Sequence, residues 1–429
     1  WPEGESFKVK CMGDARQWDI HLVSHNNWFD IEGDVQFSDQ TLLPMAELLE
    51  LLSKSKGRYV KLNENEFISL SDSLRRQLDR LEAIVVKQKG KLQLTAFQAG
   101  LLGDDILDGD FQIHYDDRLQ QLREKVAESA KHQIKVPAQL KATLRDYQLE
   151  GFQWMARLNS WGAGACLADD MGLGKTLQSI AYLLYMAKKG PSLVVAPASV
   201  VPNWRKEIER FAPALQVRVL NVCNDRVQTI KKAKKMEVVL TSYGLLNSEN
   251  EAMIEKKWNV ICLDEAHTIK NRETKTSAVV MQLQSENRLV LTGTPIQNHL
   301  GELWNLFQFI NPGLLGSYEH FQSKFILPIE QDYNKQRQLQ LNRIVHPFML
   351  RRTKQEVVDE LPDKEEIVLP VEFSEDEMNL YEVIRRRAKE MIEEGGAKVN
   401  VATLAEITRL RQAACCASLA EKKWKGECG

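Results

Sequence analysis

The chain has 429 residues, 43% of them hydrophobic, which is enough for two or three domains with buried cores. Its formal charge of −2 excludes a protein-wide positive field, so nucleic-acid binding would depend on local patches. The seven cysteines include no C-x-x-C pair, which argues against a zinc site. No apolar run approaches the roughly 18 residues of a membrane span, so we expect a soluble, cytoplasmic protein without a membrane partner.

The first part of the chain, residues 1–135, mixes two kinds of pattern. The stretches "WFDIEGDVQF" and "GRYVKLNENEFISLS" alternate as half-buried strands do, whereas "SLRRQLDRLEAIVV" has helical spacing. Nothing in this part has the spacing of a catalytic set. The patterns predict an auxiliary α+β domain that ends near Pro137.

Five short apolar runs follow, and each leads directly into polar or glycine residues. They are "AGACLAD", "SLVVAP", "MEVVLTSY", "NVICLDEAH" and "RLVLTGT". Runs that are apolar on both faces are typical of strands buried in a parallel sheet. Helical patterns lie between them, so the sequence predicts an α/β fold, a parallel sheet with helices on both faces and a site at the carboxyl ends of the strands. From about residue 299 the patterns become mostly helical.

A glycine-rich loop follows the first apolar run, in the stretch "ACLADDMGLGKTLQ". A strand, such a loop and a helix form the context of a phosphate site, because loop amides and the helix N-terminus face the phosphates. Lys175 is expected to reach the outer phosphates and the Thr176 hydroxyl to hold Mg²⁺, while Gly172 and Gly174 let the backbone approach closely. Asp169 departs from the general pattern, which has a glycine there, so an ordinary strand-to-helix turn stays an alternative.

Two adjacent acids end the fourth apolar run, in "VICLDEAH". Asp264 can hold the magnesium that bridges two phosphates, and Glu265 can polarise a water lined up on the terminal phosphorus. Two carboxylates at the end of a buried strand are costly unless a cation or hydrogen bonds compensate them. An exposed acidic turn is the alternative, which the phosphate loop makes less favourable.

Seven motifs occur in a fixed order along the chain: "LRDYQLEGFQWM", "LADDMGLGKTLQ", "LVVAPASVVPNWRKEIERF", "VLTSYGLL", "ICLDEAHTIKN", "LTGTPIQNHLGELWNLFQFINPG" and "HPFMLRRTKQEV". Over residues 140–415 the chain therefore resembles ATPases of the Swi/Snf remodelling family, within helicase superfamily two. The family's phosphate loop commonly reads D-D-M-G-L-G-K-T, so Asp169 fits the family pattern. The resemblance implies a RecA-like fold of the P-loop NTPase class, with ATP and Mg²⁺ as ligands.

The resemblance also implies roles for single residues. Gln148, with Arg145 nearby, would recognise adenine, and His267 would link the hydrolysis site to the segment that contains Thr292, Gly293 and Thr294. The predicted catalytic residues are Glu265, Lys175 and His267, and the predicted magnesium ligands are Thr176 and Asp264. The predicted ATP-binding residues are Arg145, Gln148, Asp170, Met171, Gly172, Leu173, Gly174, Lys175, Thr176 and Leu177.

Further strand ends resemble the family's contacts to the DNA backbone, which position a strand without reading its sequence. The predicted DNA-binding residues are Ser199, Asn203, Trp204, Ser242, Tyr243, Thr292 and Gly293. Plain loop and capping chemistry is the alternative for any one of them. The basic stretch "RRRAK" shares its helix with several glutamates, so we expect a solvated, ion-paired face. Arg351 and Arg352 match a family motif that we interpret as a brace within a helical insertion.

The resemblance implies a domain organisation and a function. Residues 1–135 form the auxiliary domain, 136–300 the first RecA-like lobe, 301–415 a helical insertion that completes it, and 416–429 a truncated linker toward a second lobe that this sequence lacks. The expected activity is ATP-dependent translocation on double-stranded DNA that remodels protein–DNA complexes, by a monomer associated with a bacterial nucleoid, with weak activity in this fragment. The alternatives are a protein-interaction scaffold that binds nucleotide and an RNA-directed helicase.

Overall fold

A computed structural model describes most of the chain. The described residues are 8–13, 19–25, 28–38, 41–53, 55, 57, 59–63, 66–88, 91–100, 112–131, 133–296, 299–357, 372–394, 399–421 and 424. Contacts divide the chain into two compact units, Trp1–Asp359 and Glu360–Gly429. Among the described residues, no helix combines the length and apolar character needed to cross a membrane.

The first part of the larger unit is rich in strands, as the alternating patterns predicted. Its described strands form three small sheets, with orders β1-β7-β6, β10-β2-β3-β9-β8 and β4-β5. The strands are β1 Lys8–Gly13, β2 Asp19–Ser24, β3 Trp28–Glu32, β4 Asp34–Ser38, β5 Thr41–Pro44, β6 Tyr59–Lys61, β7 Glu66–Leu70, β8 Val86–Gln88, β9 Lys91–Thr95 and β10 Gln112–Tyr115. The helices are α1 Met45–Ser53, α2 Asp72–Ile84, α3 Ala96–Gly100 and α4 Asp117–Lys131.

A seven-stranded parallel sheet forms the centre of the larger unit, with the order β13-β14-β12-β15-β16-β11-β17. Its strands are β11 Ala165–Leu167, β12 Ser192–Ala196, β13 Gln216–Val219, β14 Glu237–Ser242, β15 Lys257–Leu263, β16 Gln284–Leu291 and β17 Met349–Leu350. The five apolar runs are confirmed as strands β11, β12, β14, β15 and β16. The two additional strands, β13 and β17, lie at the edges of the sheet.

Both faces of this sheet are covered, which explains why its strands lack alternation. Along β12, Leu193 and Val195 belong to one hydrophobic core, whereas Val194 and Ala196 belong to a second core on the opposite face. The covering helices are α5 Asp146–Ser160, α6 Lys175–Met186, α7 Val201–Phe211, α8 Arg226–Lys232, α9 Tyr243–Ser248, α10 Asn250–Glu255, α11 Lys275–Gln282 and α12 Leu300–Ile310. The predicted parallel sheet with helices on both faces is thereby confirmed.

Short helices continue the larger unit beyond α12. They are α13 Tyr318–Phe321, α14 Leu327–Glu330, α15 Lys335–Val345 and α16 Lys354–Val357, with a π-helical turn at Gln322–Ile326. The auxiliary part packs against this region. The Phe97 ring of α3 lies 6.5 Å from the Phe348 ring and 6.3 Å from the Trp161 ring, measured between centroids. Gln98 Nε2 donates a hydrogen bond of 2.6 Å to the carbonyl of Leu314.

The smaller unit consists, in its described residues, of α17 Glu375–Glu394, α18 Val399–Cys415 and α19 Ala417–Ala420. The basic stretch of α17 forms ion pairs along the helix, with 3.1 Å between Arg385 Nε and Glu382 Oε2. This pair confirms the ion-paired face that was predicted for it. The division at residues 359 and 360 falls inside the segment predicted as one helical insertion, and the functional domain boundaries stay a prediction.

Candidate nucleotide site

The candidate site lies at the carboxyl edge of the central sheet. Neighbouring strands β15, β16 and β11 end here, with Leu263 paired to Val290 and Leu291 paired to Leu167. The next backbone groups are joined across the same edge, because the Thr292 amide donates to the Leu167 carbonyl at 3.2 Å. The glycine loop, the paired acids and the "TGT" segment therefore begin side by side.

The glycine loop needs glycine at two positions. Gly172 and Gly174 have φ angles of +92° and +74°, in the left-handed region that favours glycine. A Cβ atom at Gly174 would also lie 2.5 Å from Gln148 Nε2. A side chain at this position would therefore displace the Gln148 amide group from the loop, in addition to the strain of the positive φ angle.

Gln148, predicted to recognise adenine, lies buried against the glycine loop. Its Nε2 donates to the Leu173 carbonyl at 3.3 Å, and its Oε1 accepts a hydrogen bond from the Arg145 amide at 3.1 Å. The Arg145 side chain is exposed, and Met171 is 70% exposed at the tip of the loop. The structure thus places the predicted ATP-binding residues around one loop, and their roles in binding stay predictions.

Lys175 begins α6 and folds back over the loop. Its ammonium donates to the backbone carbonyls of Asp169 at 2.6 Å and of Asp170 at 3.2 Å. Burial lowers the pKa of the Lys175 ammonium, and nearby carboxylates, foremost that of Glu265, act in the opposite direction. Asp264 is among these carboxylates, so the lysine and both predicted acids share one electrostatic environment.

Asp264 is buried at the end of β15 and is held by two donors. The Trp204 indole N–H donates to Oδ2 at 2.7 Å, and the Glu265 amide donates to Oδ1 at 2.9 Å. Burial raises the pKa of the Asp264 carboxyl, and these two hydrogen bonds together with the charge of Lys175 oppose the increase. The Tyr243 hydroxyl donates to the Asp264 carbonyl at 2.8 Å, which fixes the backbone as well.

Trp204 therefore has a different place from the one that the sequence suggested. We expected a DNA contact, but the side chain is 0% exposed and its only polar atom donates to Asp264. The Trp204 side chain thus holds the Asp264 carboxylate in place through this hydrogen bond. Of the other DNA-contact candidates, Ser199 and Asn203 are exposed, whereas the Ser242 hydroxyl caps α9 by accepting from the Leu245 amide. Thr292 and Tyr243 are buried, and Gly293 is half-buried.

The turn after Asp264 has an unusual backbone. Glu265 has a φ angle of +46°, which is uncommon for a residue with a side chain and is typical of functional turns. His267 Nδ1 lies 3.4 Å from Glu265 Oε2, and the His267 side chain is 47% exposed. The histidine is thus placed beside the candidate catalytic carboxylate.

Lys270 was missed by the sequence analysis, although it stands in the quoted motif "ICLDEAHTIKN". Its side chain is 6% exposed, and its ammonium donates to the Thr294 carbonyl at 2.7 Å. The same ammonium lies 3.2 Å from Glu302 Oε2 on α12. Lys270 therefore joins the turn of the paired acids to the "TGT" segment, the connection that we expected from His267.

Arg352 was also missed as part of this site. It follows β17, and its Nη2 lies 2.6 Å from Oδ2 of Asp169, whose side chain is 0% exposed. The arginine thus lies against the glycine loop, directly after the strand that ends the central sheet on this side. The role of this stretch as a brace stays a prediction. A two-residue strand is too short to be seen as a pattern in the sequence.

The residues present fit a magnesium–nucleotide complex. Within the described ranges, no cluster of three or more histidine, cysteine or acidic side chains is placed to hold a metal ion. Mg²⁺ usually binds through one or two protein oxygens and the substrate phosphates, so the Asp264 carboxylate and the Thr176 hydroxyl suit this donor set. A preassembled protein cage is not required for such a site.

Comparison with known proteins gives the family. Residues 147–419 match the model of the SNF2-related domain. The chain belongs to the SNF2-related family. One relative of this family, the "Putative ATP-dependent helicase/translocase YwqA" of Bacillus subtilis, is 35% identical over 96% of this chain and 45% of the relative. A chromatin-remodeling ATPase INO80 of Cryptococcus neoformans is 38% identical over 67% of this chain and 17% of the relative.

A solved SNF2 structure supports the same assignment. The Sulfolobus solfataricus SWI2/SNF2 ATPase core in complex with dsDNA is 39% identical, with a TM-score of 0.50, over 69% of this chain and 63% of that chain. These figures confirm the RecA-like fold that the motifs predicted. The chain spans about half the length of the YwqA protein.

Proposed function

We propose that this chain carries the ATP-binding lobe of a DNA-dependent ATPase that translocates along double-stranded DNA and remodels protein–DNA complexes. The observation that carries the proposal is that the loop before Lys175 and the turn with Asp264 and Glu265 start at one edge of a parallel sheet, where β11, β16 and β15 end. The charges of both acids act on the Lys175 ammonium. The names of the relatives and the DNA in the Sulfolobus structure support the choice of reaction and of nucleic acid.

The geometry supports a role for each group. The Lys175 ammonium, which now donates to two loop carbonyls, would donate to the outer phosphates of ATP. Asp264 and Thr176 would hold Mg²⁺, which neutralises developing phosphate charge when it is bound. Glu265 would orient the attacking water, with His267 beside its carboxylate. The Gln148 side chain, held against the loop by its hydrogen bond to the Leu173 carbonyl, would form hydrogen bonds with the edge of the adenine ring.

DNA would be held by exposed polar groups beside this edge. Ser199 and Asn203 are exposed, whereas Trp204, the next residue of α7, is buried. Short polar side chains suit contacts to the phosphate backbone, which position a strand without reading its sequence. We also propose that the protein acts as a monomer associated with DNA in a bacterial cytoplasm. The bacterial assignment rests on the similarity to YwqA, which extends over 96% of this chain.

Removal of the Lys175 ammonium tests the proposal. We expect Lys175→Ala to weaken binding of a fluorescent ATP analogue in the presence of Mg²⁺ by at least about ten-fold, since the proposed contact between the ammonium and the phosphates is lost. Lys188→Ala, which removes an exposed lysine just beyond the same helix, is the matched control and should bind as the unaltered chain does. Equal affinity of all three proteins would contradict the proposal.

The same substitution in the whole protein distinguishes the scaffold alternative. If the protein still displaced a DNA-bound partner with Lys175→Ala, hydrolysis would be unnecessary and the scaffold function would be favoured. The RNA-directed alternative is tested by comparing how strongly duplex DNA, single-stranded DNA and RNA stimulate ATP hydrolysis by the whole protein.

A further inference from the structure

Asp169 replaces the first glycine of the general phosphate-loop pattern, and its carboxylate is completely buried. Arg352 supplies three of its hydrogen bonds. The Arg352 amide and Nε donate to Oδ1 at 3.1 and 3.0 Å, and Nη2 donates to Oδ2 at 2.6 Å. The Gln178 amide group donates to Oδ2 at 3.4 Å. A planar guanidinium gives this two-pronged contact, and a lysine ammonium does not.

The backbone around Arg352 runs beside the loop in register with it. The Ala168 amide donates to the Leu350 carbonyl at 2.7 Å, and the Asp170 amide donates to the Arg352 carbonyl at 2.9 Å. In return, the Lys354 amide donates to Asp170 Oδ2 at 3.2 Å. The first residues of the glycine loop are therefore held by a segment more than one hundred residues later in the chain.

The remaining donors of Arg352 reach two other parts of the site. Nη1 donates to the Tyr147 carbonyl, next to Gln148 on α5, and Nη2 donates to Gln178 Oε1 on α6 at 3.1 Å. The space is tight, because a Cβ atom at Gly151 would lie 2.9 Å from Arg352 Nη2. The Arg352 side chain thus connects α5, which carries Gln148, with the glycine loop and with α6, which begins at Lys175.

We propose that Arg352 is a positioning residue for ATP binding, which acts through Asp169 on the phosphate loop and on Lys175. Asp169 is the connection, because its carboxylate accepts from Arg352 and its carbonyl accepts from Lys175 at 2.6 Å. The proposal rests on the proposed ATP site. The proposal also explains why Asp169 stands where the general pattern has a glycine. The aspartate side chain anchors the loop to Arg352, so a tight turn at this position is not needed.

A double-mutant cycle on the 429-residue chain tests this proposal. Arg352→Lys keeps the charge and loses the planar fork, and Asp169→Asn keeps the shape and loses the charge. We expect each single variant to bind a fluorescent ATP analogue with Mg²⁺ about ten-fold more weakly than the unaltered chain. Because the two residues act as one pair, the affinity of the double variant should be no lower than that of the single variant that binds less tightly. Arg351→Lys, at the exposed neighbour, should bind within two-fold of the unaltered chain.

The affinities are measured well below each variant's thermal unfolding midpoint, so that loss of folded protein does not lower them. A purely structural pair would lower the midpoint and leave the affinity of the folded protein within two-fold, and this result would overturn the proposal. If Arg352→Lys does not fold, Asp169→Asn decides alone; if neither folds, the pair is a folding determinant and the proposal is overturned. If the unaltered chain binds no ATP, the proposed function itself fails.

Discussion

Asp264 is subject to two opposing requirements. A magnesium ligand must be ionised, yet burial raises the pKa of this carboxyl above its ordinary value. The folded chain therefore keeps the proton on Asp264 to a higher pH than the unfolded chain does. Stability consequently falls as the pH rises from the unfolded pKa, about 4, through the folded pKa. Ionised Asp264 lowers stability at neutral pH, a cost often seen at functional sites.

We expect Asp264→Asn to raise the free energy of unfolding at pH 7 by about 1 kcal/mol. The asparagine carbonyl can still accept the Trp204 indole N–H, whereas the Glu265 amide, which donates to the other carboxylate oxygen, loses its acceptor. This loss keeps the expected gain small. The measurement is urea denaturation at several pH values, and the difference from the unaltered chain should shrink at the acid end. A variant less stable than the parent at pH 7 would contradict the argument.

Phe348 shows how an element outside the sheet connects parts of the larger unit. It belongs to a 3₁₀ turn, His346–Phe348, directly before β17, and its ring is completely buried. The ring contacts Phe97 of the auxiliary helix α3 and lies 5.9 Å from the Trp161 ring at the end of α5. The turn therefore positions both β17 and the auxiliary part.

We expect Phe348→Ala to destabilise the chain by about 3–5 kcal/mol, since a large buried ring is replaced by a cavity. Urea denaturation followed by tryptophan fluorescence measures this change, and Trp161 is one of the nine tryptophans that contribute to the signal. Leu339→Ala is the control, because Leu339 is 61% exposed on α15. A cost below about 1 kcal/mol would show that the turn does not hold these parts together.

The expected rate of ATP hydrolysis depends on the number of sheet lobes around the ATP. In the family that the motifs resemble, ATP lies between two sheet lobes, and the part of the chain that the structure describes has one seven-stranded parallel sheet. Arginines supplied from outside such a lobe are worth about 10³ to 10⁵ in rate. We expect the 429-residue chain to hydrolyse ATP slowly, with little stimulation by duplex DNA.

A steady-state ATPase assay with duplex DNA, single-stranded DNA and RNA measures this. The whole protein should respond most strongly to duplex DNA. Robust duplex-stimulated turnover by the 429-residue chain would contradict the expected dependence on a second lobe, and a preference of the whole protein for RNA would favour the RNA-directed alternative.

The sequence was sufficient for five of the seven strands of the central sheet and for the position of the glycine loop and its paired acids at the ends of those strands. Buried strands β12, β14 and β15 are continuous apolar runs, and the groups at their ends follow from the common edge of a parallel sheet. These features depend on local periodicity and on spacing along the chain, so they can be recognised before the chain is folded.

Other features arise from contacts between distant parts of the chain. Trp204 supports Asp264 across 60 positions, and Arg352 anchors Asp169 across 183 positions. Lys270 likewise meets Thr294 only because two neighbouring strands end together. A single sequence records which residues are present, whereas the burial and pairing of their side chains depend on the packing of distant elements.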